Sequence, residues 1–150
     1  MDTKETTDAS EDAQGQPVAI CRSAFDAMLH AAQAAHPLEA CGILSGRTGF
    51  IASFAETANV HPSARTQFEI DPQALIDAHR AARSGREQLL GYFHSHPGGP
   101  ARPSPTDIAM AAHDGAIWAI AGYEGRAWTL RLWRDGAAGF DALPYVVDKR

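Results

Sequence analysis

Apolar positions along the chain follow two rhythms, one with a period of three to four residues and one with a period of two, and their alternation predicts a mixed fold. A short strand over residues 17–21 leads into Phe25, Met28, Leu29 and Ala32, whose spacing predicts a helix that buries one face. Ser23-Ala24-Phe25-Asp26 has capping-box form, with Ser23 expected to accept from the free amides of the first turn. The helix is expected to end at His36-Pro37, because a residue before proline avoids helical angles. Residues 38–46 read as a strand with one charge, Glu39, at its start, and Arg47-Thr48-Gly49 as a turn into a strand running from 50 towards 60. A loop over 61–67 and a short extended piece over 68–71 then precede a helix opened by Pro72 and running to about Arg83. Leu75, Ile76, His79 and Ala82 would line its inner side.

The polar turn at 84–88 gives way to the apolar run Leu89-Leu90-Gly91-Tyr92-Phe93, a strand that delivers His94 and His96. After a Pro/Gly loop, Ser104-Pro105-Thr106-Asp107 opens a helix with Ile108, Ala111 and Ala112 as its apolar face, and only Asp114-Gly115 separates that helix from the next strand. Three strands are expected over 116–123, 128–133 and 140–147, parted by Glu124-Gly125 and Asp135-Gly136. The fold class is therefore α/β of the α+β kind, a mixed, largely antiparallel sheet flanked by helices.

Composition narrows the setting. A chain of 150 residues fits one domain with a self-sufficient core. Residues 1–16 hold no aromatic, leucine, isoleucine or valine and are expected to be a disordered acidic tail, leaving 17–150 as the folded domain. Asp2, Glu5, Asp8, Glu11 and Asp12 in that tail carry most of the net charge of −5, so the domain itself is nearly neutral. Nucleic acid is excluded as the main partner, since phosphate binding needs clustered Lys and Arg. No apolar run approaches the roughly 20 residues that span a bilayer, and the start lacks the basic-then-apolar order of a signal peptide, so no membrane association and a cytoplasmic location are expected. Cys21 and Cys41 are too few for a disulfide framework and are expected to be reduced thiols.

The candidate chemistry lies in residues 94–107. Histidines at i and i+2 on a strand leave the same face, and Asp107 completes three protein ligands, the number typical of a catalytic metal rather than a structural one. Ser104 and Asp107 also have the form of a helix N-terminus, and both roles are compatible, because the cap fixes where the carboxylate points. A metal-activated water needs a carboxylate base. Spacing leaves that base open among Glu39, Glu56, Glu69 and Glu87. Cys41 reads as a small buried thiol, Trp118, Trp128 and Trp133 as packing aromatics, and Arg102 as an exposed arginine.

Glu39, His94-Ser95-His96-Pro97, Ser104 and Asp107 together reproduce an upstream glutamate with H-x-H-x7-S-x2-D, and so resemble the JAMM (MPN+) metalloproteases. Pro37-Leu38-Glu39-Ala40-Cys41-Gly42-Ile43-Leu44-Ser45-Gly46, Asn59, Phe68-Glu69-Ile70-Asp71-Pro72 and Gly91-Tyr92-Phe93 are similar to that family's surrounding pattern, which extends the resemblance from Pro17 to Val147. The resemblance implies a curved, cytidine-deaminase-like sheet and a zinc peptidase or isopeptidase. His94, His96 and Asp107 would bind Zn²⁺, Glu39 would be the general base, and Ser104 would hydrogen-bond the water or the oxyanion. The chain is near a bare catalytic domain, like stand-alone prokaryotic members. The substrate implied is a ubiquitin-fold, sulfur-carrier-like protein cleaved after its C-terminal Gly-Gly. A non-catalytic scaffold and a peptidase for short peptides are the rival readings.

Overall fold

The computed structural model describes residues 16–149, so the tail expected over 1–16 lies, apart from Gln16, outside the described residues. Eight strands form one sheet: β1 (Val18–Ile20), β2 (Cys41–Arg47), β3 (Phe50–Thr57), β4 (Gln88–His96), β5 (Ile117–Glu124), β6 (Ala127–Gly136), β7 (Gly139–Leu143) and β8 (Tyr145–Val147). Their order is β7-β6-β5-β4-β2-β3-β1-β8. Pairing is antiparallel for β2–β3, β2–β4, β5–β6 and β6–β7, and parallel for β1–β3, β1–β8 and β4–β5. The strand expected over 140–147 is in fact two. Pro144 has no N–H to continue the ladder, so the chain leaves one edge of the sheet and joins the other. Since one residue separates strands at opposite edges, the sheet must curl until its edges approach, and the Val18 N–H donates to the Pro144 carbonyl at 2.9 Å.

Helix α1 (Arg22–Ala35) fills the curl, burying Ala24, Met28, Ala31 and Ala32 against Ile20, Leu44, Ile51, Phe93 and Ala119. It begins one residue before Ser23, with the Phe25 N–H donating to the Cys21 carbonyl at 3.0 Å and no side chain capping it. Ser23 thus sits inside the first turn and is not the cap. The predicted stop at His36 holds.

Two helices lie on the other face. Asp71 caps α2 (Pro72–Ser84) by accepting the Gln73 N–H at 3.2 Å. No residue of α2 is fully buried: Ala74, Leu75 and Ala78 rest on Cys41, Ile43 and Ile70, while Ile76 is 45% exposed and His79 is exposed. A peripheral helix needs only a narrow stripe of small residues, so the wider apolar face expected through Ile76 and His79 does not form. Helix α3 (Pro105–Met110) has six residues, and the one it buries is Asp107. Ile108 is exposed, contrary to the apolar face expected there. Residues 111–116 form a loop, longer than the two-residue link expected, in which Asp135 accepts the N–H groups of Ala112 and His113 at 3.1 and 3.0 Å. No described helix is long and apolar enough to cross a membrane.

Candidate metal centre

β4 is clasped between β2 and β5, with Cys41 and Ile120 both in register with His94. Along this strand His94 and His96 leave one face, while the intervening Ser95 is fully buried and accepts the Ala40 N–H at 2.8 Å. The Ser104 side chain caps α3 by accepting the Asp107 N–H at 3.1 Å, and the Asp107 Oδ2 accepts the Ser104 N–H at 2.9 Å. This reciprocal capping box aims the carboxylate at the histidines. Asp107 Oδ2 lies 3.0 Å from His94 Nε2 and 3.2 Å from His96 Nε2, and the two nitrogens are 3.1 Å apart.

These separations pass a simple test. Donors bound to a tetrahedral cation at about 2.0–2.1 Å stand roughly 3.3 Å from one another. His96 Nδ1 contacts the Pro100 carbonyl at 2.8 Å, which makes Nδ1 the protonated nitrogen and leaves a lone pair on Nε2. Lone pairs of imidazole and carboxylate then face one another across about 3 Å, an arrangement stabilised by a shared cation or proton.

The loop that carries Pro100 crosses Gly122 of β5, where a Cβ would strike the backbone of Pro100 and Ala101. The Trp133 indole N–H donates to the Ala101 carbonyl at 3.1 Å. Phe68 stacks on the His94 ring, with centroids 4.2 Å apart and planes 16° from parallel, and Trp118 meets the same ring edge-on at 5.7 Å.

Burial and hydrogen bonding together set the protonation states. Burial pulls His94 down towards the neutral imidazole that a metal requires. It also acts to lower His96 and to raise Asp107. Their mutual hydrogen bonds outweigh it, together with the Pro100 carbonyl for His96 and the Ser104 N–H for Asp107, so His96 is raised and the Asp107 carboxyl is held well below the usual carboxylate range. Glu39 is 6% exposed, and burial pushes its carboxyl up to about 7, opposed by His96 and reinforced by Asp107.

Every residue that the sequence placed in the site is therefore brought together. Glu39 and the two histidines offer donor atoms within 4.8 Å of one another. Asp107 Oδ2 also faces both imidazoles, at 3.0 and 3.2 Å. The Ser104 oxygen is engaged as the cap, which leaves its hydroxyl hydrogen as a donor. Cys41 is buried, with its thiol pushed up by that burial, and Arg102 is exposed. Beside Asp107 opens a cavity of about 350 Å³, walled by Phe68, Ile70, Leu75, Tyr92, Met110 and Trp118. The stacking of Phe68 and the bracing by Trp133 escaped the sequence reading, because both join residues far apart in the chain.

Comparison with known proteins places the chain among relatives of known family. The sequence model of a family described as prokaryotic homologs of the JAB domain matches residues 22–134. A Thermus thermophilus protein named probable TtuB-protein conjugate cleaving protease is 43% identical over 75 residues, which is 50% of each chain; the match thus spans half the length of that relative. A Haloferax volcanii desampylase is 30% identical over 92 residues, covering 60% of this chain and 66% of that protein. Among solved structures, a Desulfitobacterium hafniense protein superposes with a TM-score of 0.78 at 27% identity, over 88% of this chain and 93% of that one.

Proposed function

The chain belongs to the family of prokaryotic homologues of the JAB domain, and we propose that it is a zinc-dependent peptidase or isopeptidase. Its substrate is a ubiquitin-fold, sulfur-carrier-like protein, cut at the amide bond after the C-terminal Gly-Gly. The observation that carries this reading is the convergence of His94 Nε2, His96 Nε2 and Asp107 Oδ2 within 3.0–3.2 Å of one another, with the buried Glu39 beside them. The names of the Thermus and Haloferax relatives support the substrate class.

In this reading His94, His96 and Asp107 would hold Zn²⁺, which would supply Lewis acidity to the scissile carbonyl and to an attacking water. The Glu39 carboxylate accepts the proton of that water as the water's oxygen bonds to the carbonyl carbon. The same carboxyl then gives the proton to the leaving nitrogen as the C–N bond breaks, yielding a carboxylic acid and an amine, which settle as carboxylate and ammonium near neutral pH. Burial raises the Glu39 carboxyl, which makes it a stronger base than an exposed glutamate and suits it to both transfers. The Ser104 hydroxyl donates to the developing oxyanion, and Phe68 and Trp118 keep bulk water from the histidines. A glycine at the substrate's end lets its backbone approach this enclosed centre without a side chain in the way. The reading places the enzyme in the cytoplasm, with soluble carriers.

The test is to incubate zinc-loaded protein with ubiquitin-fold sulfur carriers extended beyond Gly-Gly and with short peptides, and to follow the masses of the products. Scission after Gly-Gly of the carrier is expected, with kcat/KM lowered about 10²- to 10⁴-fold in Glu39→Gln. Equal turnover by both proteins would end the mechanism. Cleavage of the short peptides alone would end the substrate assignment.

A further inference from the structure

The two backbone polar groups of Glu39 are both tied to one neighbouring segment. Its N–H donates to the Ala64 carbonyl at 2.8 Å, and its carbonyl accepts from Asn59 Nδ2 at 3.0 Å. Asn59 Nδ2 also donates to the Gln67 carbonyl at 3.0 Å, while Asn59 Oδ1 accepts the N–H groups of His61 and Glu69, each at 3.1 Å. All four hydrogen-bonding positions of one side-chain amide are thereby used, two as donor and two as acceptor. Only a carboxamide offers that set, and Gln would carry it one methylene too far. The amide's orientation is unambiguous, since both Nδ2 partners are carbonyls and both Oδ1 partners are N–H groups.

We infer that Asn59 is the positioning residue for Glu39, tying the proposed base and the 61–69 loop into one rigid unit over the histidines. Glu39 lies in the stretch before β2 begins at Cys41, so no ladder bond within the sheet fixes its backbone. Asn59 supplies that restraint together with the Ala64 carbonyl. The loop that it closes carries Phe68, which lies flat on His94, and a single antiparallel bridge between Asn59 and Ile70 brings the chain back beside it. The four hydrogen bonds of the Asn59 side chain all go to backbone groups. Asn59 acts on the direction of the Glu39 carboxylate and on the cover of the site. A carboxylate that swings by about an ångström loses roughly 100-fold in rate while substrate binding is kept.

This inference rests on the reading of Glu39 as the base, and the experiment separates the two. Zinc-loaded wild type, Glu39→Gln, Asn59→Ala and Asn59→Asp are assayed on a Gly-Gly-extended carrier, with rates taken per bound zinc. In Asn59→Ala, kcat is expected to fall about 100-fold, with KM and zinc affinity within about threefold of wild type. Amide exchange of His61, Glu69 and Glu39 should quicken at least about tenfold, while that of Leu44 and Ile120 in the sheet stays as it was. Asn59→Asp preserves shape and the acceptor for His61 and Glu69 but removes both donated bonds. It should lose kcat like Asn59→Ala while keeping slow exchange at His61 and Glu69, and it carries the test if Asn59→Ala fails to fold. Wild-type kcat per zinc in either variant would overturn the inference, as would a loss appearing in KM or in zinc affinity. Wild-type kcat in Glu39→Gln would instead remove the base assignment, and a wild type that cleaves nothing the proposed function, each taking the inference with it.

Discussion

On one face of the sheet α1 buries Met28 and Ala32 completely, whereas on the other α2 buries no residue fully and α3 buries only the charged Asp107. The first face is apolar and interdigitated. The second gathers the buried polar groups of the site, Glu39, His94 and Asp107, beneath a loop held by side-chain hydrogen bonds. Stability is therefore concentrated on the face away from the candidate site, and the face that carries the site holds groups that cost the fold energy.

The comparison breaks most readily at Met28. Met28→Ala should lower the free energy of unfolding by between about 2 and 5 kcal/mol in urea titrations, leaving turnover per folded, zinc-loaded molecule unchanged. A fall in that turnover would show that the two faces are not separable.

On the opposite face the sign should reverse. Without metal, Glu39 has its folded carboxyl raised from 4.5 to about 7 by burial, so below pH 4.5 it is neutral in both states and costs nothing. Between 4.5 and 7 the unfolded chain releases its proton first and stability falls; above 7 the cost is constant. Metal-free Glu39→Gln should accordingly be more stable than wild type by about 3 kcal/mol above about pH 7, with the difference vanishing towards about pH 4. Denaturation at several pH values reads this directly, and a Gln variant less stable at about pH 8 would refute it.

Gly122→Ala is expected to act less on the fold than on the site. Its Cβ would push the Pro100–Ala101 backbone that orients His96, costing about tenfold in zinc affinity by chelator competition. Smallest of all, Ile76→Ala on the exposed side of α2 should change stability by less than about 0.5 kcal/mol, which a thermal melt checks.

What was legible in the sequence was local. The strand period places His94 and His96 on one face, and S-P-T-D both starts α3 and aims Asp107, so those residues could be read from neighbours alone. Glu39 could not, because it depends on β2 pairing with β4 across some fifty residues of chain; only the family pattern singled it out. The same limit explains why Asn59 stood in that pattern without a role and why Phe68 was not placed on His94. Amphipathic spacing predicted that α2 and α3 exist, yet misjudged Ile76 and Ile108, since spacing carries no information on how peripheral a helix is. Pro144 was the visible signal for splitting the last strand, and its reading needed knowledge that the sheet curls.

The proposed mechanism turns on Asp107 being an inner ligand and Glu39 an outer base. Zinc affinity of Asp107→Asn and Glu39→Gln, measured side by side by competition with a chelator, tests that division most directly. Asp107→Asn should lose more than about 100-fold, with Glu39→Gln within about threefold of wild type. Release of zinc by Glu39→Gln as readily as by Asp107→Asn would make Glu39 a ligand and contradict that division of roles.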